Sequence, residues 1–284
     1  MKILITGSTG FLGRRASDHF TALGYEVLTP SRSRMDITDA AAVDSWFRVN
    51  RPQAVLHCAA VSDTGLCQKE PDRSHRINVD GSIHLAQSCC DIGAKFLLCS
   101  SDQVYAGSSL PGPHTEGESL TPGSVYAQQK LMAERQCQAL CPDTVCLRLT
   151  WMYDTRSFPG EHGHLMTTLC AALNDPSLPL SWPVHDRRGI TDVNSVAMQL
   201  PAALSLPAGV YNFGSENDMD TFHSLQAVFH ELDLQAALDR LTPNVLAFAD
   251  LPRDIRMDCS LAASHGITFP STRAGLCDAL KKIL

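Results

Sequence analysis

Short apolar runs alternate with longer amphipathic segments through the first half of the chain. The apolar runs are rich in Ile, Val and Leu, which is typical of strands covered on both faces. They lie at Lys2–Thr6, Glu26–Thr29, Ala54–His57, Lys95–Ser100 and Thr144–Leu149. The segments of helical length between them lie at Gly10–Leu23, Ala40–Asn50, Ser74–Cys90 and Val125–Leu140. This alternation predicts an α/β fold built on a doubly wound parallel sheet.

Prolines interrupt this pattern in the second half of the chain. One more buried strand is predicted at Val210–Phe213, and helices are predicted at Thr221–Leu232 and Ala274–Leu284. We therefore expect one domain over residues 1–155, to which segments around residues 189–215 return. Residues 156–284 are expected to form mainly a smaller C-terminal lobe.

Composition places the chain among ordinary globular proteins. Its 284 residues are 44% hydrophobic and 19% charged, and a chain of this length buries a full core without a disulfide or metal. The formal net charge is −7 and no stretch is strongly basic, which argues against nucleic acid and anionic membranes as partners. No apolar run approaches the length of about 20 residues that a membrane span needs.

The cysteines and the N-terminus indicate the compartment. The chain has 11 cysteines, without a Cys-x-x-Cys pair, and most of them lie inside apolar segments. Such cysteines are typical of reduced, buried side chains in a reducing compartment. The N-terminus resembles neither a signal peptide nor a membrane anchor, so we expect a cytoplasmic protein. No metal site is predicted, because neither the cysteines nor the histidines have ligand spacing.

A glycine-rich segment follows the first predicted strand and opens the first predicted helix. It reads Thr6-Gly7-Ser8-Thr9-Gly10-Phe11-Leu12-Gly13. Glycine lets the backbone turn sharply and approach a pyrophosphate, and the helix N-terminus supplies N–H donors. We expect the loop to bind a dinucleotide through Gly7, Thr9, Gly10, Phe11, Leu12 and Gly13.

The second predicted strand ends without the acidic residue that an NAD site needs for the ribose 2′-hydroxyl. It runs instead into Ser31, Arg32, Ser33 and Arg34. Guanidinium groups bind a 2′-phosphate through paired donors. The sequence therefore predicts NADPH over NADH, held by Ser31, Arg32 and Arg34. One of the two arginines is expected to be a plain solvent-exposed residue.

Polar residues that suit proton transfer follow in the expected order. Ser101 lies at the end of an apolar strand, where open α/β sheets bind ligands. Tyr126 and Lys130 lie four residues apart and so share one helix face. An ammonium near a phenol lowers the phenol pKa, and the tyrosine can then exchange a proton with a carbonyl or alcohol oxygen. We predict Ser101, Tyr126 and Lys130 as the catalytic residues, with the serine hydroxyl bonding the same oxygen.

The glycine loop, the serine-rich strand end and the Tyr-x-x-x-Lys pair together resemble the extended short-chain dehydrogenase/reductase family. The resemblance implies a Rossmann fold and a Ser–Tyr–Lys triad, with Tyr126 and Lys130 also lying against the cofactor. It implies that Asp36 and Ile37 lie at the adenine. Further cofactor contacts are implied at Cys58, Ala59, Ala60 and Asn78. The asparagine would support the active-site lysine through water, and a plain helix-surface amide is its alternative.

Within that superfamily the chain most resembles the dTDP-4-dehydrorhamnose reductases. The similar motifs are Ser-Ser-Asp-Gln-Val-Tyr at 100–105 and Arg-Leu-Thr-Trp-Met-Tyr at 148–153. The resemblance implies NADPH-dependent reduction of a nucleotide-linked 4-keto-sugar. The substrate-binding residues that it implies are Ser101, Asp102, Gln103, Trp151 and Arg188. Gln103 and Leu251 depart from the tyrosine and arginine usual in those reductases, which leaves the exact sugar nucleotide open.

Two other functions stay open on the sequence. One is an epimerase or dehydratase of nucleotide sugars that retains NAD, against which the arginines after the second strand argue. The other is a non-catalytic, NADP-binding regulatory subunit, since the regulatory subunit of methionine adenosyltransferase resembles these reductases. Trp151 is either a platform for the sugar or a core residue. A homodimer is compatible with the sequence.

Overall fold

Twelve strands are present in the computed structural model, which describes residues 1–156, 158 and 163–284. The strands are β1 (Lys2–Thr6), β2 (Glu26–Leu28), β3 (Ala54–His57), β4 (Lys95–Ser101), β5 (Val145–Leu149), β6 (Trp151–Tyr153), β7 (Leu180–Pro183), β8 (Asp186–Arg187), β9 (Ile190–Asp192), β10 (Gly209–Phe213), β11 (Leu241–Asn244) and β12 (Arg253–Asp254). Six of them form the main sheet, in the order β10-β5-β4-β3-β1-β2.

Twelve α-helices accompany these strands within the described residues. They are α1 (Phe11–Ala22), α2 (Ala40–Asn50), α3 (Thr64–Lys69), α4 (Pro71–His75), α5 (Gly81–Ile92), α6 (Val125–Leu140), α7 (Leu165–Asn174), α8 (Val193–Ala203), α9 (Thr221–Glu231), α10 (Gln235–Leu238), α11 (Ser260–Ser264) and α12 (Thr272–Lys281). A π-helical segment covers Arg76–Asp80, and a 3₁₀ turn covers Asp102–Tyr105.

The chain divides into two compact units. Unit 1 comprises Met1–Ala106, Ser119–Leu149 and Ala197–Tyr211, and unit 2 comprises Gly107–Glu118, Thr150–Val196 and Asn212–Leu284.

The main sheet of unit 1 is parallel where β2, β1, β3, β4 and β5 pair in turn. The strands β3 and β5 are buried along their whole length, as the continuous apolar runs predict. The helices α2, α5 and α6 cover apolar strand residues with side chains that include Phe47, Leu85 and Cys137. Thr6, His57 and Ser101 are the last residues of β1, β3 and β4. Because these strands are parallel, the three residues lie along the same edge of the sheet, where the carboxyl ends of the strands meet.

Caps decide where two of the helices in unit 1 begin. The side chain of Asp39 accepts hydrogen bonds from the backbone nitrogens at the start of α2, and Ser124 does the same for α6. The helix predicted as one piece over Ser74–Cys90 is different in the structure. It consists of the end of α4, the π-helical segment and most of α5.

The described residues of unit 2 form three short parallel ladders, β7 with β11, β8 with β12 and β6 with β9. Its apolar core includes Leu169 of α7, Phe229 of α9 and Leu276 of α12. The predicted helices of this half correspond to α9 and α12, and the predicted strand lies in β10. Across the described residues, we find no helix with the length and apolar character needed to span a membrane.

Candidate active site

The glycine loop after β1 is closed by contacts that leave no room for side chains. Gly7 has a φ of 66°, and a Cβ there would lie 2.7 Å from the backbone nitrogen of Ala59. A Cβ on Gly13 would overlap the carbonyl oxygen of Gly7. The nitrogen of Gly10 donates to that same oxygen over 2.9 Å, and no described side chain caps the start of α1. The loop therefore presents a bare helix N-terminus, which suits a pyrophosphate.

The remaining predicted loop residues differ in exposure. Thr9 is exposed, Phe11 is half-buried and the side chain of Leu12 is buried. Leu12 can therefore contact a ligand only through its backbone atoms.

The segment after β2 holds one of its arginines in a defined place. Arg32 Nε donates to Asp36 Oδ2 over 2.9 Å, while Asp36 Oδ1 accepts bonds from the Thr38 nitrogen and hydroxyl. The backbone bond from Thr38 is the main cause that lowers the pKa of the Asp36 carboxyl, and Arg32 adds to it. Arg32 is 72% exposed, and its Nη atoms have no hydrogen-bond partner among the described residues. Ser31 and Arg34 are exposed beside it.

Helix α5 supports the predicted adenine segment. A Cβ on Gly81 would lie 2.8 Å from Ile37 Cδ1, so this glycine lets the isoleucine pack against the helix. His84 Nδ1 bonds the carbonyl oxygen of Ile37 over 2.8 Å. Neither Gly81 nor His84 was predicted from the sequence. A glycine within a helical pattern was the available signal.

His57, to which the sequence analysis gave no role, joins β1 to α5. Burial above all, and the charge of Lys130, lower the pKa of His57 to about 3, so the ring is neutral. Its Nε2 lies 3.0 Å from Ser82 Oγ, which already donates to the carbonyl oxygen of Asn78. The Nε2 atom must then carry the proton, and Nδ1 accepts from the Thr6 hydroxyl at 2.6 Å.

The loop Cys58-Ala59-Ala60 follows β3 and is half-buried. Cys58 Sγ lies 3.6 Å from Cys99 Sγ at the neighbouring strand. The contact with Cys99 and burial together raise the pKa of the Cys58 thiol well above its ordinary value. Ala59 approaches Gly7 through its backbone, so the predicted loop does meet the predicted phosphate loop.

Asn78 is buried in the π-helical segment and is not a surface amide. Its Oδ1 accepts from the backbone nitrogen of Val61 at 2.8 Å, and its Nδ2 donates to Gln129 Oε1 at 2.9 Å. Gln129, which the sequence analysis missed, donates in turn to Ser74 Oγ and the Pro71 carbonyl. The wider π turn thus directs the asparagine amide onto other elements of unit 1.

The two serines at the end of β4 have different partners. Ser100 donates its hydroxyl hydrogen to the buried carboxylate of Glu134. Ser101 faces the other side of the strand, where its Oγ accepts from the Gln103 nitrogen and donates to Asp102 Oδ1, both over 3.2 Å. Ser100 is thereby engaged in the interior, and Ser101 caps the 3₁₀ turn that carries the predicted substrate residues Asp102 and Gln103.

Tyr126 and Lys130 lie together on the buried face of α6, which packs against β4 and the 3₁₀ turn. Lys130 Nζ lies 5.9 Å from the centre of the Tyr126 ring and donates to the carbonyl oxygen of Cys99 over 2.9 Å. Burial lowers the pKa of Lys130. Both side chains are buried, so the electrostatic interaction between the ammonium and the phenol is only weakly screened by solvent.

Trp151 and Arg188 meet in unit 2. The Arg188 guanidinium lies 5.3 Å from the centre of the Trp151 ring, a cation–π distance, and the arginine is buried. The carbonyl oxygen of Arg188 accepts from Asn217 Nδ2. A Cβ on Gly189 would overlap the carbonyl oxygen of Ser215, which keeps the backbone beside Arg188 closely packed. Trp151 also packs partly against the apolar core of unit 2.

Two other arginines of unit 2 are already neutralised by carboxylates. Arg253 binds Asp186 through two hydrogen bonds of 2.8 and 2.9 Å. Arg256 binds Asp254 in the same two-pronged way, at 2.8 and 2.6 Å. Within the described residues, no group of three or more His, Cys, Asp or Glu side chains could hold a metal ion.

Comparisons with known proteins decide the family. The model of the RmlD substrate binding domain family matches residues 1–284. The chain belongs to this family. The dTDP-4-dehydrorhamnose reductase of Streptomyces griseus is 36% identical over 151 residues, which are 53% of this chain and 49% of that enzyme. Methionine adenosyltransferase 2 subunit beta of Rattus norvegicus is 25% identical over 278 residues, covering 94% and 83%.

A solved structure shows the same fold. It is the dTDP-4-dehydrorhamnose reductase of Bacillus anthracis str. Ames in complex with NADP, with a TM-score of 0.83 and 20% identity, covering 99% of this chain and 98% of that one. The predicted family and the α/β fold class with a parallel sheet are confirmed. The predicted class, an oxidoreductase of the extended short-chain dehydrogenase type, is confirmed at the level of the family. NADP is the ligand of the Bacillus anthracis enzyme.

Proposed function

We propose that the protein reduces the C4 ketone of a nucleotide-linked sugar with NADPH. The observation that carries the proposal is the buried ammonium of Lys130 beside the Tyr126 ring. An ammonium has three donors, and among the described residues only the carbonyl of Cys99 takes one of them. The other donors of this buried ammonium can bind a polar ligand that lies beside Tyr126.

Residues of the chain supply the proton for this reduction. Bound NADPH would provide the hydride for the carbonyl carbon. Tyr126 gives its hydroxyl proton to the carbonyl oxygen, and the charge of Lys130 stabilises the phenolate that is left. The hydroxyl of Ser101 donates a hydrogen bond to the same oxygen and so stabilises the charge that develops there.

The residues present fit the cofactor. The interlocked glycines of the loop after β1 leave space only for backbone, and the uncapped start of α1 supplies donors for a pyrophosphate. Arg32, which is held by Asp36 through Nε, keeps its Nη atoms for the 2′-phosphate. We assign NADP binding to residues 1–155 together with the segments around 189–215, and substrate binding mainly to residues 156–284.

Charged and flat side chains suit the nucleotide-linked sugar. Arg188 carries a buried positive charge for the substrate diphosphate, and Trp151 offers a ring face to the sugar. Asp102 and Gln103 on the 3₁₀ turn would bind sugar hydroxyls next to Ser101. The sequence departs from the reductase pattern at Gln103, so the panel of substrates in the test includes several 4-keto-sugars.

The test is NADPH oxidation with a panel of nucleotide-linked 4-keto-sugars, followed by the loss of its absorbance. We expect turnover with at least one sugar, and a loss of kcat of about 10²–10⁴-fold in Tyr126→Phe, which lacks only the proton donor. Tyr25→Phe is the matched control. This tyrosine packs against Phe20 near the C-terminal end of α1, whereas the glycine loop lies at the N-terminal end of that helix. No turnover with any sugar, or full turnover in Tyr126→Phe, would contradict the proposal.

A second candidate is a regulatory subunit that binds NADP without turning it over. It is favoured by the match to methionine adenosyltransferase 2 subunit beta, which covers 94% of the chain. Stoichiometric binding of purified methionine adenosyltransferase, unaltered in Tyr126→Phe, would support this function. The third candidate, an epimerase or dehydratase, predicts tightly retained NAD in the purified protein and no net cofactor oxidation.

We further propose a cytoplasmic protein whose partner is a small nucleotide sugar. The reduced, mostly buried cysteines agree with a reducing compartment. Cell fractionation tests the location, and light scattering of the purified chain distinguishes a monomer from a homodimer.

A further inference from the structure

One helical turn beyond Lys130, four side chains form a buried polar network. We call this network the α6 clamp; its members are Ser100, Tyr105, Glu134 and Arg148. None of the four is more than 4% exposed. They come from β4, the 3₁₀ turn, α6 and β5, so the network joins four elements of unit 1.

Glu134 is the centre of the α6 clamp. Arg148 Nε donates to its Oε1 over 3.1 Å, and Arg148 Nη2 donates to its Oε2 over 2.8 Å. The Ser100 hydroxyl donates to Oε1 as well. The remaining guanidinium nitrogen of Arg148, Nη1, donates a hydrogen bond of 2.8 Å to the Tyr105 hydroxyl. Each carboxylate oxygen is therefore bonded, and the pair of charges is fully enclosed.

The positions of these residues connect the α6 clamp to the predicted catalytic residues. Glu134 follows Lys130 by four residues and Tyr126 by eight, so the three share one face of α6. Ser100 precedes Ser101 directly and is paired in register with Arg148 on β5. A shift of α6 along β4 would consequently move the phenol and the ammonium relative to the Ser101 hydroxyl.

We propose that Glu134 is a positioning residue, which through the α6 clamp sets where Tyr126 and Lys130 lie relative to Ser101. The inference rests on the proposed function, since that function assigns Ser101, Tyr126 and Lys130 their chemistry. Nothing in it requires Glu134 to touch substrate or cofactor.

Apolar side chains could hold a helix against a sheet without the desolvation cost of a buried ion pair. Burying an ion pair carries a desolvation cost, and replacing such a pair by well-packed apolar residues is often neutral or stabilising. Hydrogen-bond geometry, unlike apolar contact, fixes direction as well as distance. The α6 clamp therefore serves the placement of α6 better than it serves stability.

The charge of Glu134 also acts on Lys130. Burial lowers the pKa of Lys130, and this lowering is opposed in part by Cys99, by Cys58 and then by the carboxylate of Glu134. The other titratable groups that act on this ammonium belong to β3, the loop after it, α3 and β4; they are His57, Cys58, Cys67 and Cys99. Glu134 differs from these groups because it is a carboxylate in an ion pair with Arg148. The contact with Cys99 and burial raise the pKa of Cys58, burial raises the pKa of Cys67, and burial lowers the pKa of His57.

The first experiment compares Glu134→Gln with Arg148→Lys. Glu134→Gln keeps the size of the side chain and removes its charge. We expect kcat to fall about 10–100-fold and KM for NADPH to change much less, since the variant leaves the glycine loop and Arg32 in place. The alkaline limb of the pH profile of kcat/KM should move to lower pH, because Lys130 and Tyr126 both lose protons more easily without the carboxylate. In Arg148→Lys, which keeps the charge of Glu134, kcat should fall without movement of that limb towards lower pH.

Arg135→Gln is the matched control, since it removes a charge from the exposed side of the same helix. It should leave kcat, KM and the pH profile as in the unchanged protein. A merely structural role of Glu134 would alter the melting temperature and leave the alkaline limb in place.

A crystal structure of Glu134→Gln gives a readout that needs no substrate. We expect the bond between Lys130 Nζ and the Cys99 carbonyl, 2.9 Å in the intact chain, to be lengthened beyond hydrogen-bond reach. A retained bond together with an unmoved alkaline limb would overturn the inference. If the unchanged protein reduced no keto-sugar, the proposed function would fail, and the crystal structure alone would decide whether Glu134 places Lys130.

Should Glu134→Gln not fold, Ser100→Ala replaces it. This variant removes the bond between β4 and Glu134 but leaves the ion pair with Arg148 intact. We expect a smaller fall in kcat, about 3–10-fold, at unchanged NADPH affinity. Full activity in Ser100→Ala would overturn the inference.

Discussion

Lys130 Nζ donates a hydrogen bond of 2.9 Å to the carbonyl oxygen of Cys99, two residues before Ser101. Within the part of the chain that the structure describes, this is the only hydrogen bond of the ammonium. The bond ties the helix that carries Tyr126 to the strand that ends in Ser101. Because burial lowers the pKa of Lys130, its charge is held against a solvation cost, which points to a use for that charge.

Replacement of Lys130 by Met should therefore separate activity from stability. We expect kcat for ketone reduction to fall about 10²–10³-fold, since the phenolate of Tyr126 loses its cation. Thermal stability should change little or rise, because an apolar side chain of similar length avoids the cost of a buried charge. Kinetics and thermal melts measure the two effects.

Lys95→Met is the control for this variant. Lys95 also donates to a backbone carbonyl over 2.9 Å, that of Leu206, at the opposite end of β4. Its loss should leave kcat unchanged. Equal losses of activity in the two lysine variants would contradict a catalytic role for Lys130.

His57 should make the folded protein sensitive to mild acid. The pKa of a free histidine is about 6.5, and in the folded chain burial lowers the pKa of His57 to about 3. The unfolded chain then takes up a proton between these values and the folded chain does not. Stability is complete above pH 6.5 and is lost as the pH falls towards 3, by about 2 kcal/mol at pH 5.

Urea unfolding at pH 7.5 and pH 5 measures this loss. His57→Asn should be less stable at pH 7.5, because the bonds to Thr6 and Ser82 are altered, but should lose less stability between the two values. His265→Asn, at an exposed histidine, should behave like the unchanged protein. An identical loss in His57→Asn and in the unchanged protein would show that His57 does not carry the effect.

The predicted strands and helices of the first half correspond closely to the observed ones because each is specified locally. The apolar runs at Lys2–Thr6 and Ala54–His57 have the bounds of β1 and β3, and Val125–Leu140 has those of α6. The π-helical segment could not be predicted in this way. In its wider turn Asn78 accepts a hydrogen bond from the Val61 nitrogen and donates one to Gln129, and the spacing of apolar residues does not indicate these bonds.

The same reason limits what the sequence could say about the site. Tyr126 and Lys130 share a helix face, so their proximity followed from spacing alone. The partners of His57 and the pairing of Glu134 with Arg148 depend on how strands and helices are brought together. In unit 2, β7 and β11 contain prolines and pair across a long stretch of sequence, so local pattern gave no sign of either strand.

Gly13→Ala tests the interlocked glycine loop. A Cβ at Gly13 would overlap the Gly7 carbonyl oxygen, so the loop must shift away from α1. We expect a loss of stability of about 1–3 kcal/mol and at least a tenfold weaker binding of NADPH. Gly123→Ala is the control, since a Cβ there meets no atom within 4 Å. Fluorescence titration with NADPH and urea unfolding measure both effects, and unchanged NADPH binding in Gly13→Ala would argue against this loop as the phosphate site.

Arg32→Ala should change the choice between the two nicotinamide cofactors. Asp36 engages Nε of Arg32 and leaves the Nη atoms for a 2′-phosphate, a group that NADH lacks. Loss of a charge-assisted pair should weaken NADPH about 10–100-fold and leave the affinity for NADH unchanged. In Asp36→Asn, Arg32 stays but is held less firmly, so we expect a smaller loss of the same selectivity. Arg48→Ala is the matched control, because Arg48 forms an exposed pair with Asp44 at the same spacing on α2. If titration with both cofactors gives equal losses for NADPH and NADH in Arg32→Ala, this arginine does not read the 2′-phosphate.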